Sequence, residues 1–130
     1  MSSAEARYLK INFDEVFEKL REYAKAKAHQ ARAIVLTGSL AKGSYTGTSD
    51  ADILVIADNL PDHILERYSL FADPSMPIDL EPRVYTTDEF VSKVRRGDHF
   101  AIESIEAGIP LHGERFFKDL REFLSRHPRK

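Results

Sequence analysis

Cysteine is absent from the 130 residues, so disulfides and thiolate metal sites are excluded, and a cytosolic location is the expected one. Long apolar runs are missing too. The longest, Ile53 to Ala57, falls far short of the roughly 20 residues that a bilayer-crossing helix needs. The N-terminus, Met1-Ser2-Ser3-Ala4-Glu5-Ala6-Arg7, lacks the basic-then-apolar order of a secretory signal. Neither sign of charge dominates: nineteen basic residues against twenty-one acidic ones give a net charge of −2 and a pI near 6.2. A dedicated duplex-DNA binder usually has a domain pI above about 9, so that class is disfavoured, while a small polyanion held in a local pocket stays compatible. Apolar residues at 42% and charged residues at 31% exclude a collagen-like, low-complexity or wholly disordered chain.

What is present fits one domain spanning residues 1–130, a length that buries about two-thirds of the unfolded surface. The spacing predicts a helix from Asn12 to Ala28. Asn12 caps it with Glu15 in a capping box, and Phe13, Val16, Phe17, Leu20, Tyr23 and Ala24 make one apolar stripe. Ala33 to Thr37 reads as a short buried strand, Ser39 to Lys42 as a helical turn, and Gly43 to Ser49 as a loop. Asp52 to Ala57 is a second strand, apolar on both faces after its first residue and so covered on both sides. A helix opening at Asn59-Leu60-Pro61 is expected to turn Ile64, Leu65, Tyr68 and Phe71 inward. Ile78 to Tyr85 alternates, with Ile78, Leu80 and Val84 on one face and Asp79, Glu81, Arg83 and Tyr85 on the other. Pro82 confines that strand to an edge or a bulge. Thr86 with Glu89 caps a helix carrying Phe90, Val91 and Val94. A short helix from Asp98 to Ala107 follows, then a short edge strand at Ile109-Pro110-Leu111 and a Phe-rich helix from Glu114 to about Arg126, most simply core. The expected class is therefore α/β (α+β), with helices flanking the strands.

The chemistry concentrates between Leu36 and Val55. Gly38-Ser39 stands where a buried strand gives way to a helix start, a junction that presents unpaired N–H groups to an anion. On its own such a pair is also an ordinary turn and cap. Asp50-Ala51-Asp52 opens the second strand, where a period of two puts both carboxylates on one face. Two adjacent carboxylates repel unless a cation lies between them, and hard oxygen donors suit Mg²⁺. Alone, Asp-x-Asp is also a solvated strand entry. Together the two devices meet the needs of nucleoside triphosphate chemistry, in which Mg²⁺ bridges phosphate and protein oxygens. A third acid from a neighbouring strand would be Asp79 or Glu81, and spacing leaves both open because they lie only about 7 Å apart.

Gly38-Ser39, ten intervening residues, then Asp50-Ala51-Asp52 running into Ile53-Leu54-Val55 resembles the signature of the DNA polymerase β-like nucleotidyltransferase superfamily, most of all its minimal, stand-alone (MNT) branch. The resemblance extends from about Ile34 to Phe90. It implies a polymerase β-like fold, a small mixed β-sheet flanked by helices. On its register Glu81, five residues before Thr86, takes the third-carboxylate position, with Asp79 as the fallback. The sequence departs from the pattern twice: Glu replaces the more usual Asp at the third acid, and Leu40 stands where relatives often carry a basic residue. The resemblance implies nucleotidyl transfer: Asp50, Asp52 and Glu81 as catalytic residues on two Mg²⁺ ions roughly 4 Å apart, with Gly38, Ser39 and Lys42 on the phosphates.

The implied substrate is a nucleoside triphosphate, ATP above others, with AMP passing to a hydroxyl of a protein or small molecule. No polymer-gripping domain accompanies the motif, so a long nucleic acid is not the expected substrate, and neither is a membrane. Short family members often act with a helical HEPN-type protein, which makes such a partner the expectation and a noncatalytic antitoxin-like binding role the alternative. An oligomer is compatible. The five histidines show no metal-binding spacing, and Tyr45 and Arg95-Arg96 read as surface residues.

Overall fold

The computed structural model describes residues 13–43 and 51–128. Asn12, the loop with Tyr45, Asp50 and the two last residues lie outside them, and with them the expected Asn12 cap. In chain order the elements are α1 (Phe13–Lys27), a 3-10 turn (Ala28–Gln30), β1 (Ala33–Thr37), α2 (Gly38–Lys42), β2 (Ala51–Ile56), α3 (Ile64–Phe71), β3 (Leu80–Tyr85), α4 (Thr87–Arg95), α5 (His99–Ala107), β4 (Ile109–His112) and α6 (Glu114–Arg126). Among the described residues no helix is long and apolar enough to cross a membrane.

One mixed four-stranded sheet runs in the order β3-β2-β1-β4. β1 pairs antiparallel with β2 and with β4, whereas β2 and β3 run parallel. β1 is buried throughout and β2 nearly so, since helices cover both faces of the sheet. Odd residues of β2 and even residues of β1 and β3 meet α1 in one core built on Val16, Leu20, Ile34, Leu36, Ile53 and Val55. The opposite face packs Val35, Leu54 and Ile56 against Phe90 of α4, Ala101 of α5 and Phe117 of α6. Period-two alternation thus builds two cores from one sheet. This is the small mixed sheet flanked by helices that the sequence leads one to expect.

Pro82 lies in an edge strand, as its chemistry requires. The Asp79 and Tyr85 carbonyls accept from Ala51 N (2.8 Å) and Ala57 N (3.0 Å), so odd residues of β3 face β2 and Pro82 turns its missing donor outward. Thr86 and Glu89 form the expected capping box on α4, and Asp98 caps α5 through Ala101 N.

α3 departs from expectation. It begins at Ile64 rather than near Pro61, with His63 as its cap. Ile64 is 77% exposed and Leu65 68%, Tyr68 is also exposed, and only Phe71 is buried. The helix packs along edge strand β3, where the apolar sheet surface ends, and only its last turn reaches the core; there Tyr23 Oη donates to the Phe71 carbonyl. Phe123 of α6 is likewise exposed rather than core, and carries the Arg95 guanidinium and the His127 ring instead.

Two surface carboxylates tie these elements together. Asp58, just after β2, accepts from Arg32 Nη1 (2.7 Å), Thr87 N (2.9 Å) and Thr87 Oγ1 (3.1 Å). Glu89 accepts from Arg67 Nη1 (2.7 Å) and Thr86 N (2.8 Å), linking α3 to α4. Burial pushes the pKa of each upward, but the backbone and guanidinium donors outweigh it and hold both below the ordinary carboxylate range. A depressed folded-state pKa means that the stabilisation is complete above the unfolded value and fades as pH falls through the folded one. Replacing Asp58 with Asn should cost about 1 kcal/mol at neutral pH, a modest figure because the pair is half exposed. In urea titrations against pH, the gap between wild type and variant should narrow below about pH 4.

Candidate active site

The site is built where β1 ends and β2 begins. Thr37 and Asp52 are register partners on the antiparallel pair, and the buried Thr37 Oγ1 donates to the Asp52 carbonyl at 3.0 Å. That bond fixes the Asp52 backbone at the sheet's end. Gly38 follows at φ +73°, a left-handed conformation that side-chain-bearing residues rarely adopt. A Cβ placed on Gly38 would lie 2.5 Å from Asp52 Oδ2 and 3.3 Å from its Cγ. The Asp52 carboxylate therefore occupies the space that a side chain at residue 38 would fill. Sequence reasoning assigned Gly38 to close approach by an anion; the structure adds that the nearest anion is the protein's own carboxylate.

The parallel pairing of β2 with β3 sets Asp52 directly across from Glu81. Paired residues of neighbouring strands share a face at a strand spacing of about 4.8 Å, so both carboxylates project on the same side of the sheet. Glu81 is exposed and Asp52 half-buried. Asp79 sits one pleat repeat earlier, ahead of β3, and contacts β2 through its carbonyl on Ala51 N. The register thus brings Glu81, rather than Asp79, alongside Asp52. Asp50 lies outside the described residues. Among the described residues alone, no three His, Cys, Asp or Glu side chains gather as a metal cluster, so a triad would have to draw on Asp50.

The Gly-Ser corner continues into α2. Ser39 is half-buried, and Leu40 is buried in the core against α1, which explains an apolar residue there. Lys42 is not open to solvent on its own: its Nζ pairs with Glu103 Oε1 of α5, and the other Glu103 oxygen lies 3.4 Å from His99 Nε2. The hydrogen bond from Lys42 holds the Glu103 carboxyl below its ordinary range. This pair clamps α2, and with it the Gly38 turn, to α5.

On the same sheet face, one position further along β3, Arg83 holds its guanidinium 4.3 Å above the Phe100 ring of α5. Sequence reasoning placed Arg83 on the face with Glu81 but gave it no role; the alternation of β3 was the signal that could have done so. Beyond it, a cleft of about 790 Å³ opens along the edge of β3 between α3 and α4, with Arg83, Lys93 and Arg96 among its lining cations. Asp52 does not line this cleft, which adjoins the carboxylates rather than containing them.

A family model described as a nucleotidyltransferase domain matches residues 17–109. No curated protein matches the chain. Among solved structures, a toxin-antitoxin bound to AMP-PNP is similar at a TM-score of 0.55 and 20% identity, covering 85% of this chain and 87% of that one. A mutant of the toxin-antitoxin MntA-HpeT is similar at 0.53 and 17% identity, with the same coverage of 85% and 87%. At those identities the likeness is one of fold.

Gly38→Ala should be costly for two separate reasons, a strained φ and a clash with Asp52. The expected loss is about 1–3 kcal/mol in chemical denaturation, more than for Gly43→Ala, which also has a positive φ but open space around it.

Proposed function

Because the chain belongs to the nucleotidyltransferase domain family, we propose that it moves a nucleoside monophosphate, AMP from ATP, onto an acceptor hydroxyl of a protein or small molecule and releases pyrophosphate. The observation that carries this reading is the contact of Gly38 with the Asp52 carboxylate, with Glu81 across the register. An anion-tolerant turn and two carboxylates on one face are what a metal-bound triphosphate requires.

The donor set fits Mg²⁺. Asp52 and Glu81 offer hard carboxylate oxygens side by side, and Asp50 would add a third from the same strand entry, with Asp79 in reserve. Magnesium ions there would lower the pKa of the acceptor hydroxyl and neutralise charge on the triphosphate. The chain's own residues do the positioning. Gly38 leaves the backbone bare enough for a β- or γ-phosphate to approach, and the Ser39 hydroxyl adds a donor. Lys42 reaches a phosphate only by leaving Glu103; while paired, it links α2 to α5. In-line attack on the α-phosphorus then depends on orientation and charge neutralisation, which account for most of the acceleration in such transfers.

The partner we propose is a helical HEPN-type protein, which would supply the acceptor hydroxyl. The solved structures that share this fold are toxin-antitoxin assemblies, which supports a protein partner in general. We further read residues 1–130 as one nucleotidyltransferase domain working in the cytoplasm. A second reading, a noncatalytic antitoxin-like binder, draws on one observation: Ile64, Leu65 and Tyr68 leave one apolar side of α3 exposed for contact.

Labelled ATP with Mg²⁺ and a co-purified acceptor separates the two. Asp52→Ala should lower transfer at least about 100-fold with little change in thermal midpoint. Transfer that persists in Asp52→Ala overturns the catalytic reading. An Asp50→Ala/Asp52→Ala double variant that still protects cells from the partner as well as wild type does favours the binding role.

A further inference from the structure

A triphosphate brings about four negative charges to a corner that already holds Asp52 and Glu81, and the metal ions alone do not orient it. Lys42, the cation nearest in sequence, is engaged by Glu103. Among the described residues of β1, β2 and β3, Arg83 is the one cationic side chain on this face. We propose that Arg83 binds a phosphate oxygen of the nucleotide, an assignment that rests on the nucleotidyl-transfer reading of the Gly38–Asp52 corner.

Arg83 lies one pleat repeat from Glu81 on β3, roughly 7 Å along the strand, and an arginine side chain spans that distance. The residue is exposed, and among the described residues no carboxylate comes within 4 Å of its guanidinium. The guanidinium lies 4.3 Å from the Phe100 ring centroid and also meets the Tyr85 hydroxyl, which takes one of its hydrogen bonds; an arginine carries five N–H donors, so others remain to meet a phosphate. Phe100 is itself held in the first turn of α5, which Asp98 caps at 3.0 Å through Ala101 N. The same α5 carries Glu103, so one short helix both neutralises Lys42 and presents Arg83.

The test is a titration of the full chain, with Mg²⁺ present, by a fluorescent ATP analogue and then by unlabelled ATP, ADP and adenosine in competition. Arg83→Ala should weaken ATP about 10- to 100-fold and leave adenosine within about twofold, since a charged hydrogen bond to phosphate is what is lost. Arg83→Lys should recover part of the loss, while Arg96→Ala in the same cleft should change ATP affinity by less than about threefold. Arg83→Ala binding ATP as tightly as wild type overturns the assignment and leaves the nucleotidyl-transfer reading standing. An equal loss for ATP and adenosine overturns it in favour of a structural role. A wild-type chain that binds no ATP overturns both. Phe100→Leu, which keeps an apolar side chain but removes the stack, should reproduce part of the ATP-selective loss, and this guards against a poorly folded Arg83→Ala.

Discussion

The carboxylate of Asp52 rests against a residue that has no side chain. Everything at this end of the molecule depends on that contact. It needs Gly38 in a left-handed conformation, the Thr37 hydroxyl on the Asp52 carbonyl, and the antiparallel register that makes residues 37 and 52 neighbours. It also sets the direction of the chain: β1 stops at the glycine and turns at once into α2, so the carboxylate lies beside the first turn of a helix. Burying Leu40 behind that turn keeps α2 on the sheet, and the Lys42–Glu103 pair holds its far end.

The rest of the fold serves to hold β2 in place. Its neighbours differ in kind. β1 runs antiparallel to it and is buried on every residue, whereas β3 runs parallel and lies at an edge. A parallel edge strand demands a crossover between β2 and β3, which α3 supplies, and it sets Asp52 across from a residue far along the chain. Pro82 is compatible with this arrangement because its face without a donor points away from β2. Asp58 and Glu89 then pin the connections at the opposite end of the strands, pairing with Arg32 and Arg67 while Asp58 also accepts from Thr87. Rigid strand ends on one side and bonded loops on the other leave the carboxylate end as the place where a ligand meets fixed groups.

Membership of the nucleotidyltransferase domain family agrees with this architecture, and the solved toxin-antitoxin structures share its fold. At the corner of this chain Leu40 is buried in the core, Glu81 lies across from Asp52, and Lys42 is paired with Glu103. On the same face Arg83 is exposed, with its guanidinium over the Phe100 ring.

Much of this was legible in the residues alone. Alternation in β3, the capping box at Thr86 and Glu89, the buried run of β2 and the glycine-serine junction are local signals, set by backbone sterics, side-chain period and short-range hydrogen bonds, and they survive in the folded chain. Other features were not local. Asp79 and Glu81 have the same alternation in the sequence, so only the pairing of β3 with β2 could tell which lies beside Asp52. Ile64 and Leu65 have the spacing of a buried stripe, yet α3 lies where the sheet runs out and nothing in the sequence marks that edge. Lys42 and Glu103 are far apart in the chain and meet because α2 and α5 pack at the same end of β1. Sequence alone determined which segments would be strands and helices and that acids cluster beside a glycine turn, because those follow from neighbours a few residues away. Only the tertiary structure decided which charges face one another, because that depends on register and packing between segments that sequence spacing does not relate.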